Sequence, residues 1–223
     1  MKICFVAWSD FGIGGVPRVL TCLMDALSRK HDVSLYSLKN LPQSGIQGIN
    51  REQIHIYCRE MNLYEKIRRS AADILVCKTP LFSSALGCRL YAAARYTSGF
   101  KKALTNHLNK HQYDVVIFGS GFEDSLLLAL TKNKLLPSMR ILTWSHASYD
   151  NYFTNMGSFF SRYMKEAIKA YYHRFDEIIV LSDGDEKEFR EKHHLPARRI
   201  YNPNTMNPSR KSSLTSKTFV YVG

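Results

Sequence analysis

Residues 9–20 read "SDFGIGGVPRVL", between the apolar run "KICFVAW" (2–8) and a stretch in which Val19, Leu20, Leu23, Met24 and Leu27 recur at helical spacing. A strand, a glycine turn and an amphipathic helix in that order open a parallel α/β unit. Glycines tolerate positive φ and let a ligand come close to the backbone, while the free N–H groups of a helix start attract an anion. Pro17 suits the first turn, where its missing N–H breaks no bond. A dinucleotide pattern GxGxxG starting at Gly12 would need glycine at Pro17, and a Walker A loop would need Gly-Lys-Ser/Thr, so neither motif is present. The loop reads either as a phosphate cradle or as a tight β–α connection.

Working outward, short β-rich apolar runs recur along the chain: "DVSLYSL" (32–38), "IHIYC" (54–58), "DVVIFGS" (114–120), "RILTWSH" (140–146), "DEIIVLS" (176–182) and "RIYN" (199–202). Stretches with helical spacing separate most of them. Near-continuous apolar strands alternating with amphipathic helices predict an α/β fold: a Rossmann-like, doubly wound parallel sheet covered on both faces. This domain is expected over residues 1–206. "NPSRKSSLTSK" (207–217) is polar and aperiodic and reads as a linker, and "TFVYVG" (218–223) reads as the first strand of a second domain.

The chain has 223 residues, 45% hydrophobic, with a formal net charge of +12, a composition that excludes general disorder. The positive balance predicts an anionic partner: a phosphorylated substrate, an anionic membrane surface or nucleic acid. Five cysteines without a CxxC pair read as reduced thiols, not as a disulfide or zinc framework. With no signal-peptide layout and no apolar run of about 18 residues, an intracellular, soluble protein is expected. Between Arg59 and Lys110, ten Lys/Arg stand against three Asp/Glu, and Tyr64, Phe82, Tyr91, Tyr96 and Phe100 are interleaved with them. Cations alternating with aromatics suit an anionic membrane surface, where rings sit at headgroup depth. They also suit a nucleic-acid surface or an ordinary packed helix. "SFFSRYMKEAIKAYYHRF" (158–175) poses the same choice. No DNA- or RNA-binding motif is present, so a nucleic-acid partner is not expected.

Four segments, in order, carry a resemblance. "GGVPRVL" is similar to the "GG-x-E-R-V" opening of the retaining glycosyltransferases of family 4, which have the GT-B fold, with Pro17 in place of the acidic residue. "EIIVLSDGDEKEF" resembles that family's strand–Ser–helix segment, "RIYNPNTMN" its "I-P-N-P-V-D" stretch, and "FVYVG" the strand opening its second domain. The resemblance implies an acceptor-side N-terminal domain and transfer of a hexosyl group from a nucleotide sugar, with retention and without an essential metal or a cofactor. The expected acceptor is a glycan or a polyprenyl-linked species in cell-surface polysaccharide or glycolipid synthesis, at the inner face of the membrane. The 223 residues alone would then be inactive, because the family's glutamate pair and its nucleotide-sugar wall belong to the second domain. The departure at Pro17 leaves open a non-catalytic module that binds a membrane or a partner glycosyltransferase.

On this reading Gly14 and Gly15 approach the donor phosphates, Arg18 orients the loop, Asn202 lies near the inter-domain cleft, and His146 contacts the reacting sugars. His146 also stands out without the resemblance, since it ends an apolar strand where open α/β sheets bind ligands. Glu123 and Asp124 follow another strand and read as a general base or as first-turn acids, with the second favoured. Ser182, Asp183 and Asp185 pose the same choice, with Ser182 or Asp183 as a cap of the following helix. His107 and His111 lack the glutamate of HExxH, and no metal site is expected.

Overall fold

Apolar runs become strands because residues of alternating direction are both buried, which demands a helix layer on each face. A computed structural model describes residues 1–8, 14–39, 41, 52–78, 84–120, 122–154 and 161–204. The expected linker (207–217) and second-domain strand (218–223), with the tip of the glycine loop (9–13), lie outside the described residues. Among the described residues seven strands are formed: β1 (Lys2–Ala7), β2 (Asp32–Ser37), β3 (Ile54–Cys58), β4 (Val115–Phe118), β5 (Arg140–Trp144), β6 (Glu177–Val180) and β7 (Ala197–Arg199). They join in one sheet in the order β3-β2-β1-β4-β5-β6-β7, with every pairing parallel. The last strand ends as "RIYN" begins, so that stretch is the exit from β7.

The helices are α1 (Gly15–Ser28), α2 (Leu63–Lys78), α3 (Ala85–Arg95), α4 (Ser98–His111), α5 (Leu126–Thr131), α6 (Tyr149–Phe153), α7 (Ser161–Tyr171) and α8 (Asp183–His193). In β1, Ile3, Phe5 and Ala7 face one side and pack with Leu20 and Met24 of α1, while Cys4 and Val6 face the other. That second side holds the larger core, with Tyr91, Leu104, Leu127, Met164 and Phe189 from α3, α4, α5, α7 and α8. Within the stretch 158–175, Ser161–Tyr171 is a packed helix, since Tyr163, Met164, Ala167 and Ile168 are buried.

The chain walks outward from β1 to β3 and then returns to place β4 on the other side of β1. Such a reversal opens a crevice at the carboxyl ends of the two central strands. Three helices fill the crossover from β3 to β4. Their cations and aromatics interleave for an internal reason. Arg95 is 3% exposed, pairs with Asp73 and, at 2.7 Å, with Asp124, and its Nε donates to the Tyr96 hydroxyl at 3.2 Å. Arg59 makes a bidentate pair with Glu65 and lies 4.3 Å over the Phe100 ring. Tyr91, Tyr96 and Phe100 are therefore core residues and not interfacial aromatics.

Candidate functional site

Three carboxyl-terminal strand ends meet at the crevice. From β1 the chain passes through Trp8 to the start of α1; from β4 it passes through Gly119 and Ser120; from β5 it reaches His146. The ends are stitched together. The Gly119 N–H donates to the Val6 carbonyl at 3.0 Å, and the Trp8 N–H donates to Ser120 Oγ at 2.5 Å. His146 Nε2 lies 3.1 Å from the Gly119 carbonyl, which can only accept, so Nε2 carries the proton and Nδ1 keeps its lone pair. Burial holds the His146 pKa below the ordinary value, against the opposing pull of the Gly119 carbonyl. The ring stacks on Trp144, with planes 5° apart and centroids at 5.7 Å. His146 is thus a neutral, oriented imidazole at neutral pH, half-buried at the strand end where the sequence placed it.

The glycine loop supplies the neighbouring wall. Gly14 is the N-cap of α1 with φ 164° and ψ 158°, extended backbone that any residue adopts, so its glycine is not demanded by backbone strain. A Cβ at Gly15 would meet nothing within 4 Å. Among the described residues the first turn of α1 carries no acidic residue, and Gly14 has no side chain to cap it. Arg18 is exposed one turn into α1. Gly119 is a stricter position: a Cβ there would come within 2.3 Å of Leu20 Cδ2, so its glycine lets β4 pass against α1.

Gly14 and Gly15 follow β1 and His146 follows β5, so they flank the end of β4 from two strands apart, roughly 10 Å along the sheet. Asn202 does not join them. It is exposed beyond β7, two strands from β5 and so roughly 10 Å along the sheet. Of the two acidic residues after β4, the Glu123 side chain lies outside the described residues. Asp124 is 7% exposed and accepts from Arg95, Arg69 and Tyr96, so it is a counter-ion and not a base. Ser182 caps α8 by accepting from the Asp185 N–H at 3.0 Å, while Asp183 pairs with Arg199. His107 and His111 pack with Tyr57, and among the described residues no group of three or more His, Cys, Asp or Glu could hold a metal. Cys4, Cys22, Cys58 and Cys88 are free thiols.

Sequence reasoning missed the pocket on the other side of Trp8, a cavity of about 350 Å³ bordered by Leu38, Lys39, Met61, Lys66 and Arg69. These residues leave three different strands or sit on α2, and only the topology assembles them. A signal did exist for Gly119 and Ser120, as small residues directly after an apolar run.

Residues 13–204 match the family model described as Glycosyltransferase Family 4. Among solved structures, one described as an alpha-glucosyltransferase in complex with UDP and a 13-mer DNA containing a central A:G mismatch aligns at 15% identity with a TM-score of 0.39. The alignment covers 91% of this chain and 40% of that one, so the chain spans well under half of the length of its structural match. No curated protein matches the chain.

Proposed function

The chain belongs to glycosyltransferase family 4, and from that premise we propose that it is the acceptor-side domain of an enzyme that transfers a hexosyl group from a nucleotide sugar. A second, nucleotide-sugar-binding domain would close the crevice from the other side. The observation that supports this reading is that a glycine helix start after β1 and the neutral His146 after β5 flank the end of β4 at the carboxyl edge of the sheet. Departing diphosphate charge needs fixed N–H dipoles aimed at it, and the α1 amides supply them without a metal. The unprotonated Nδ1 of His146 can accept a hydrogen bond from a sugar hydroxyl near the reacting centre. Arg18, exposed on the same first turn, adds positive charge at the loop, and Asn202 serves the outer rim of the cleft.

The acceptor on this reading is a glycan or polyprenyl-linked species of the cell envelope, handled at an anionic membrane surface. No described helix is long and apolar enough to cross a membrane, so attachment would be peripheral. Retention and independence of metal come from the family resemblance, and the expectation of no nucleic-acid partner comes from the lack of a binding motif in the sequence. The test is a transfer assay with a panel of UDP- and GDP-sugars, lipid-linked and soluble glycan acceptors, and EDTA. Transfer with retained anomeric configuration that survives EDTA is expected from the protein carrying both domains, and none from residues 1–223 alone. Absence of transfer to every acceptor, with intact binding to a partner glycosyltransferase, would assign the non-catalytic module instead.

A further inference from the structure

Two contacts hold the His146 imidazole, and they restrict different motions. The Nε2–H donated to the Gly119 carbonyl at 3.1 Å sets the tautomer, yet one hydrogen bond leaves the ring free to turn about its axis. The second contact stops that turn. The Ser145 N–H still donates to the Ile179 carbonyl at 2.8 Å, so the strand conformation of β5 runs on past Trp144. Side chains two apart on a strand leave from the same face, which puts Trp144 next to His146. Their rings lie 5° from parallel with centroids at 5.7 Å.

Trp144 is itself fixed. It is 4% exposed, and Leu142, next on the same face, packs in the core under α1. A buried side chain in a close-packed core keeps one rotamer, so it offers its neighbour a rigid plane. Packing alone does not explain the indole, because its N–H is buried without a hydrogen-bond partner among the described residues. An unpaired buried donor weakens a fold, and phenylalanine would fill the strand without one. What tryptophan adds is a large flat surface, and the half-buried imidazole lies on it.

We propose that Trp144 is a positioning residue, whose buried indole holds the plane of the His146 ring and with it the direction of the Nδ1 lone pair. This deepens the transferase reading and rests on it only for the sugar hydroxyl that Nδ1 would meet. Direction matters there, since a lone pair turned away from its hydroxyl accepts no bond. The same contact shields one face of the imidazole from water. Burial, acting downward, and the Gly119 carbonyl, acting upward, are what move the His146 pKa, with no charged side chain among the described residues contributing. Uncovering that face therefore lets the pKa rise towards the ordinary 6.5.

Nitrogen-15 spectra of the imidazole in residues 1–223 read tautomer and pKa without any transfer assay. A single Nε2–H form is expected, and Trp144→Phe, which preserves a stacking ring, should keep it. Trp144→Leu should populate both tautomers and titrate at a higher pH than the parent chain. Should Trp144→Leu not fold, fluorescence of the intact stack decides instead. In Trp8→Phe the indole of Trp144 is the one that remains, and protonation of a stacked imidazole quenches its emission. That quenching should set in as the pH falls below 6.5 and vanish in Trp8→Phe/His146→Gln. In the two-domain enzyme, Trp144→Leu should lower kcat on the order of tenfold or more at unchanged donor KM, and Trp144→Phe should keep most of it. A folded Trp144→Leu with the parent's tautomer and pKa, or Trp144 emission blind to His146, would overturn the assignment. If the parent two-domain enzyme transfers no sugar, the transferase reading falls, while the spectra still decide whether Trp144 orients His146.

Discussion

Replacing Asp124 by asparagine removes the negative charge shared by two arginines and one tyrosine inside the β3–β4 crossover. Asp124 Oδ1 accepts from Arg95 at 2.7 Å, from Arg69 at 3.0 Å and from the Tyr96 hydroxyl at 3.0 Å. Breaking a buried ion pair by removing one partner costs about 3–5 kcal/mol, because the other charge is left uncompensated. Asp73 still pairs with Arg95 and sits 3.8 Å from Arg69, so the lower end, about 3 kcal/mol, is expected. At about 2–4 °C per kcal/mol for a chain of this size, the melting temperature should fall by roughly 6–12 °C. Urea unfolding would read the same loss as a lower midpoint at constant slope. Burial alone would raise the Asp124 carboxyl, but Arg95, Arg69 and their hydrogen bonds outweigh it and hold it below the ordinary 3.8. Its stabilisation is therefore complete above 3.8 and lost as the pH falls through that value towards the folded-state pKa. Asp124→Asn should flatten that acid limb. A loss under about 1 kcal/mol with an unchanged acid limb would refute the buried-pair account, since exposed pairs contribute that little.

Other substitutions probe the crevice. Gly119→Ala should cost about 1–3 kcal/mol by overpacking, measured by urea unfolding, because the new methyl meets the fully buried Leu20; Leu20→Val in the same chain should recover part of it. His146→Ala should lower transfer by the two-domain enzyme about 100-fold in a steady-state assay, while costing only about 1 kcal/mol of stability for the bond to Gly119. Gly15→Val should leave the melting temperature unchanged, since its Cβ enters open space, and should abolish donor binding in the two-domain enzyme by calorimetry. Burial, then the charges of His111 and Lys110, lower His107 to about 4. His107 therefore costs no stability above pH 6.5 and lowers it as the pH falls from 6.5 to about 4, and His107→Gln should flatten the unfolding curve in that window.

Local chemistry made the strands legible. Runs such as "KICFVAW" and "DVVIFGS" are apolar on both faces, which only a covered parallel sheet can satisfy, and all seven runs mark strands or, for "RIYN", a strand exit. The strand order was not legible in detail, because pairing depends on crossovers whose length and direction leave no local mark. His146 could be found from its place after an apolar run, whereas its tautomer comes from the Gly119 carbonyl of another strand. Arg69 had no signal at all: its stacking on Trp8 joins residues 61 positions apart in the chain.

The basic stretch from Arg59 to Lys110 shows why composition alone could not separate a core from a surface. Charge and aromatic content are the same whether a cation faces solvent or a buried carboxylate, and only packing decides between the two. Arg95 and Tyr91 went inward because Asp73 and Asp124 neutralise and bind the guanidinium there, which makes burial of the charge tolerable. Lys66 and Arg68 had no such buried partner and stayed at the surface, beside aliphatic residues that the crossover leaves uncovered. The same sorting put Arg69 at the boundary, with one nitrogen satisfied by Asp124 and another left without an acceptor next to the pocket. A segment that looks uniform in sequence thus divides into a structural half that fixes the position of α2 and a half that keeps its charge and apolar surface available. The first half supports the second: Asp124 holds Arg69 against Trp8, and that contact ties α2 to the end of β1.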